Sequence, residues 1–147
     1  MKESSTARIL RIVAGVAVAL VFLIGLSVLR RESRYSDWLA RGKAHTEAGN
    51  VDSAFLAYGT AIHMRPDQAE GYFLRAAAML KLNSFNKAQV DLNDVIRMRP
   101  DFGEAYRLRA LCYRAQGLQK KAAEDDATAD RLGAPKVITD PEKVVVP

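Results

Sequence analysis

Apolar and polar positions follow two different patterns along this chain, and the change between them divides it. From Ile12 to Leu29 no residue carries a charge, and the stretch is bounded by Arg11 on one side and by Arg30-Arg31 on the other. From Tyr35 to Pro135 the pattern repeats itself every 34 residues. The tripeptide Arg65-Pro66-Asp67 returns as Arg99-Pro100-Asp101, and Ala134 stands one period further on, immediately before Pro135. Trp38, Tyr72 and Tyr106 keep the same step, as do Arg41, Arg75 and Arg109, then Gly42, Ala76 and Ala110, then Ala54, Ala88 and Ala122. A fixed period of this length predicts stacked supersecondary units in place of one globular core.

Breakers inside each period predict two helices per unit. Gly49-Asn50, Asn83-Ser84 and Gln116-Gly117 interrupt the three units in turn, and a proline at 66, 100 and 135 keeps the preceding helix from continuing. Asp67 with Glu70, and Asp101 with Glu104, have the spacing of a capping box at a helix start. The helices are thus expected at about 35–48, 51–64, 69–82, 85–98, 103–116 and 119–132. Ser33 lies one period before Asp67, so the first of them either begins there or runs on from the apolar stretch.

These residues resemble the tetratricopeptide repeat. Trp38, Gly42, Ala54, Tyr58, Ala61 and Pro66 match its pattern in residues 35–68, Tyr72, Ala76, Ala88, Leu92, Val95 and Pro100 do so in 69–102, and Tyr106, Ala110, Ala122, Ala129 and a proline one place late, Pro135, in 103–135. The resemblance implies an all-α fold, three repeats of antiparallel helices stacked as a short right-handed solenoid with a concave ligand face. It also implies a binding scaffold and no enzyme. In such a stack the concave face is lined by the first helix of each repeat. Transferred here, the lining is Leu39 and Lys43, then Phe73, Ala77, Leu80 and Lys81, then Arg107, Leu111 and Arg114. An apolar middle edged by cations suits a protein or peptide ligand with apolar and acidic residues. Charge reversal at Arg107 and Arg114 is then expected to weaken capture while the domain stays folded. One subclass of the family clamps a carboxylate tail with lysine and asparagine at places that here hold Leu39, Lys43, Phe73, Ala77, Arg107 and Leu111; only Arg107 has suitable chemistry, so the clamp is not expected. In the last repeat Asp126 and Asp130 stand where the earlier repeats have Tyr58, Leu92, Ile62 and Ile96. An acidic terminal face is expected to end the stack.

The apolar stretch 12–29, extended by Ile9 and Leu10, would rise about 27 Å as a helix, near the hydrocarbon thickness of a bilayer. It reads as a single uncleaved membrane anchor preceded by a basic tail, 1–11, and followed by a basic segment, 30–34. A cleaved signal peptide shares the basic start, but this run is longer than the usual apolar region and Arg30-Arg31-Glu32-Ser33-Arg34 follows it directly. Basic residues near both ends lean the repeats to the cytoplasmic side only weakly, with export the rival. Gly15 and Ala19 form a small-xxx-small pair through which another membrane helix can approach.

Charge and candidate chemistry change little. The net charge of +5 arises in residues 1–34, with six basic and two acidic groups against sixteen and fifteen in the rest. That placement favours membrane lipid over nucleic acid. No phosphate-binding glycine loop or HExxH pair occurs, and neither His45 nor His63 has a second ligand at metal spacing, so neither catalysis nor a cofactor or metal is expected. Cys112 is the only cysteine and is expected to be a small buried apolar residue; Trp38, Tyr72, Tyr106, Met64 and Met98 are expected to fill the core. The functional expectation is a membrane-anchored adaptor that recruits partner proteins; the alternative is a permanent small subunit of a larger membrane complex. The tail, 136–147, has two prolines and a Val144-Val145-Val146 run and is expected to be extended.

Overall fold

The computed structural model describes residues 5–136, all of it helix and turn, and the tail beyond lies outside those residues. Six helices follow one another: α1 (Ser5–Glu47), α2 (Val51–Met64), α3 (Ala69–Lys81), α4 (Phe85–Met98), α5 (Gly103–Ala115) and α6 (Gln119–Arg131). The chain separates into two units at Tyr35 and Ser36, and α1 runs through that boundary without interruption. No separate first-repeat helix starts at Ser33.

In the first unit the side chains from Val13 to Leu29 are exposed, including Val21, Phe22, Leu23 and Ile24, and the segment is long and apolar enough to cross a membrane. Ser27 donates its hydroxyl to the carbonyl of Ile24 at 2.7 Å, so its polar group is satisfied within the helix. Gly15 and Ala19 are exposed on this segment, and nothing lies within 4 Å of where a Cβ on Gly15 would stand.

In the second unit the period seen in the sequence is a period of backbone geometry. Gly49, Asn83 and Gly117, each 34 residues apart, have φ of 74°, 55° and 76°. This left-handed residue ends the first helix of each hairpin. The following N–H then reaches back to close the cap: Asn50 to His45 O at 2.8 Å, Ser84 to Met79 O at 3.0 Å, Leu118 to Tyr113 O at 2.9 Å. Asparagine serves where the other two repeats use glycine because its short side chain tolerates that conformation. Between repeats the Arg-Pro-Asp turns close by Gln68 N–H to Arg65 O and Phe102 N–H to Arg99 O, at 3.2 and 3.1 Å.

The predicted capping boxes are not formed. The residues flanking α3 and α5 are Gln68 and Phe102, with no side-chain cap, while Asp67 and Asp101 lie 3.4 and 3.7 Å from Arg65 and Arg99 two residues earlier. Each aspartate stands one residue ahead of the residue that flanks its helix, so its carboxylate does not cap it. The predicted aromatic core positions also move outward. Trp38, Tyr72 and Tyr106 are half-buried, and each ring is covered by the arginine three residues on, with Arg41, Arg75 and Arg109 at 4.8, 5.9 and 5.5 Å from the ring centres.

The core is built from small residues on one helix facing larger ones on the next. Ala54, Ala88 and Ala122 are buried, as are Ala61, Val95 and Ala129. The contact of Gly42 with Tyr58 shows how tight this is. A Cβ on Gly42 would stand 2.3 Å from the Tyr58 ring, whose hydroxyl lies 3.2 Å from Thr46 Oγ1 and cannot swing aside without losing that bond. One repeat later Ala76 and Leu92 occupy the equivalent places. Gly42→Ala is therefore expected to destabilise the array by about 1–3 kcal/mol. Adding Tyr58→Leu should recover most of the loss, as read by the midpoint of thermal unfolding followed by circular dichroism.

Candidate ligand groove and arginine rungs

The nine residues read as groove lining divide sharply. Leu39, Phe73, Ala77 and Leu80 are 5, 7, 1 and 0 % exposed. Phe73, Ala77 and Leu80 belong to the core cluster together with Ala105, Leu108 and Cys112 of α5, and the Phe73 ring lies 4.7 Å from that of Phe102. Phe73, Ala77 and Leu80 are thus covered within a cluster that α4 and α5 complete. Lys43, Leu111 and Arg114 are half-buried and Lys81 is exposed, so the accessible part of the lining is more cationic than the sequence suggested. Cys112 is fully buried, and burial pushes its thiol up to about 12, which removes it as a nucleophile.

Arg107 does not face a ligand. Its guanidinium is 7 % exposed and is held by Asp126 at 2.9 Å, by Asp130, and by the carbonyls of Ala134 and Pro135, both at 3.3 Å. Burial opposes its charge, and the bonds from Asp130 and Asp126 outweigh that. Arg114 pairs with the other oxygen of Asp126. The residues equivalent to Arg107, Asp126 and Asp130 one repeat earlier are Phe73, Leu92 and Ile96, which meet the next repeat. The end face expected to be acidic is thus an ion-paired replica of an apolar interface. Charge reversal at Arg107 is accordingly expected to disturb the last repeat as well as any ligand contact.

A second set of charges escaped the sequence reading. Arg75 donates Nε and Nη2 to the two oxygens of Asp91, both at 2.7 Å, and Arg109 does the same with Asp125 at 2.7 and 2.8 Å. Both aspartates are buried, and each pair joins the two helices of one hairpin. Arg109 also donates to Asn93 of the preceding repeat at 2.8 Å. The signal was present: Asp91 and Asp125 are one period apart, and each follows its arginine by 16 residues. The first repeat lacks this pair, because Ala57 occupies the equivalent place.

Helical hairpins stacked with a period of 34 residues, each closed by the same left-handed cap, define an α-solenoid repeat protein. Neither a protein-family model nor a curated protein matches the chain. Among solved structures, the TPR2B domain of yeast Sti1 in its complex with pHsp70 is 31% identical, with 68% of this chain and 80% of that one covered at a TM-score of 0.66. The Arabidopsis OM64 TPR domain is 25% identical over 69% of this chain and 84% of that one, with a TM-score of 0.67. The second TPR of Spaghetti (RPAP3), bound to the HSP90 peptide SRMEEVD, shares the fold at 21% identity and a TM-score of 0.68, with 72% and 98% of the two chains covered. The chain belongs to the tetratricopeptide repeat family.

Proposed function

We propose that this protein is a scaffold that holds partner proteins through the first helices of its repeats and is tethered to a membrane by α1. The observation that carries the reading is its match to a repeat domain solved with a partner, the TPR2B domain of Sti1 in its pHsp70 complex. The accessible lining is Lys43, Lys81, Leu111 and Arg114, which suits a ligand with acidic residues around an apolar one. The carboxylate-tail clamp is no part of this reading, since Arg107 is occupied by Asp126 and Asp130.

The tether is supported by the run of exposed apolar side chains from Val13 to Leu29, long and apolar enough to cross a membrane. A helix of this length left in water would expose far more contiguous apolar surface than soluble proteins tolerate. Residues 1–11, 12–29 and 30–34 would then be the basic tail, the span and the basic flank that meets lipid, followed by repeats at 35–68, 69–102 and 103–135. Gly15 and Ala19 offer a face for another membrane protein's helix. With the span packed there permanently the protein would be a fixed subunit, the second reading.

A photoreactive residue at Leu111 is expected to cross-link one discrete partner protein in intact cells, whereas the same group at Val90 should not. Lys43→Glu with Lys81→Glu should weaken that cross-link about tenfold, as two lost charge contacts imply. Equal labelling at 111 and 90, or none at 111, would reject the groove. Extraction of the protein by alkaline carbonate would reject the span.

A further inference from the structure

We propose that Arg41, lying over the ring of Trp38, is a docking point for a carboxylate side chain of a partner protein, outside the groove. The inference rests on the scaffold reading only in taking the partner to be a protein.

Each repeat sets an arginine over the aromatic residue three places before it, and in two of the three the guanidinium fork closes on both oxygens of a buried aspartate. In the first repeat the arginine and its ring are present and the aspartate is not. Ala57, 3 % exposed, fills the equivalent place, and among the described residues no carboxylate lies within ion-pair distance of Arg41. Arg75 and Arg109 are half-buried by their pairs, whereas Arg41 is exposed.

The donor set that takes a carboxylate twice within this chain is therefore displayed a third time to solvent. A guanidinium resting 4.8 Å from the centre of an indole has less freedom than one in open solvent, which lowers the entropic loss on capturing two oxygens. Tryptophan and arginine together are also the side chains most often found at the energetic centre of protein interfaces. A carboxylate is favoured over a phosphate because the two filled rungs show that this arginine-over-aromatic arrangement receives one.

Trp38 is the only tryptophan of the chain, so its emission reports directly on the ring beneath Arg41. The full chain in neutral detergent micelles would be titrated with a blocked Glu-Ala repeat peptide of eight residues and with its Gln-Ala counterpart. A saturable change in Trp38 emission is expected with the glutamate peptide alone. Arg41→Gln should weaken it roughly threefold to tenfold, the range for a partly exposed charge pair.

Ala57→Asp supplies the missing carboxylate from within and should abolish the response while helical content is kept. Should that variant fail to fold, Arg41→Gln still decides. The proposal is overturned if the glutamate peptide gives no saturable change, if Arg41→Gln binds as well as wild type, or if a folded Ala57→Asp still responds. A response to inorganic phosphate or to micelles doped with phosphatidylserine, with none to the peptide, also overturns it. Because the readout is at residues 38 and 41, its failure leaves cross-linking from 111 untouched, and the two readings can fail separately.

Discussion

Arg107→Glu is expected to unfold the last repeat, with a loss of about 3–5 kcal/mol from the array, the range for stranding buried charge. The side chain it removes is 7 % exposed and binds two carboxylates and three main-chain carbonyls; the glutamate would place a third anion beside Asp126 and Asp130 with no cation of its own. Urea unfolding, with hydrogen exchange resolved over α5 and α6, measures both the size and the place of the effect. A variant that binds its partner poorly while α6 keeps wild-type protection would show that Arg107 belongs to the groove after all. The complementary variant, Arg107→Phe with Asp126→Leu and Asp130→Ile, rebuilds the apolar face that the second repeat turns toward the third. It should fold and then self-associate as its concentration rises, because no repeat follows α6 among the described residues to cover that face. The cap also has a pH signature. The hydrogen bond from Arg107, helped by the attraction of its charge, holds the Asp130 carboxyl below the usual carboxylate range against the opposing effect of desolvation. A depressed folded-state value means stability that is full at neutral pH and lost as pH falls through and below the ordinary carboxylate range. Protection of α6 should therefore fade on acidification, and because Asp130 is half exposed, added salt should weaken its share at neutral pH.

The helices were legible because the signals that end them are local. Each predicted boundary from α2 onward falls within one residue of the structure, set by a proline or by a left-handed residue at 49, 83 and 117. What was not legible depends on contacts across the stack. Phe73, Ala77 and Leu80 stand at groove positions of a single hairpin, and they are buried in a cluster that α4 and α5 build together. The same holds for Arg107: its place resembles a ligand contact until the carbonyls of Ala134 and Pro135 and the carboxylates of α6 close over it. Asp67 and Asp101 show the reverse failure, in which a sound local pattern points to a cap and the helix starts one residue too late for the carboxylate to serve. The continuity of α1 past Ser33 follows from the absence of any glycine or proline between Leu29 and Trp38. The arginine rungs lie between these cases, with a period visible in the sequence but a meaning that appears only when two antiparallel helices bring residues 16 apart together.

Asp91→Ala is expected to be the most damaging substitution within the middle repeat, lowering stability by about 3–5 kcal/mol, because it leaves the Arg75 guanidinium inside the hairpin with both of its acceptors gone. The hydrogen bond to Asp91 holds the Arg75 charge in place against a burial that opposes it, so the loss of one partner exposes the whole desolvation penalty of the other. Arg75→Lys should cost most of the same amount, since an ammonium cannot supply two parallel donors or lie flat against the Phe55 and Tyr72 rings. Replacing both partners, Arg75→Leu with Asp91→Leu, should by contrast be nearly neutral, as an apolar pair of suitable volume satisfies the site without charge. The difference between the single and double variants in urea unfolding is then a coupling energy. Coupling below about 1 kcal/mol would place the pair with ordinary surface ion pairs and remove it from the account of why the hairpin holds. The third repeat gives an internal control. Asp125→Ala strands Arg109 in the same way, but Arg109 keeps one bond to Asn93, whereas the residue equivalent to Asn93 in the first repeat is Gly59, which offers Arg75 no side chain. Asp125→Ala should therefore cost measurably less than Asp91→Ala, and Asn93→Ala in its background should close the gap.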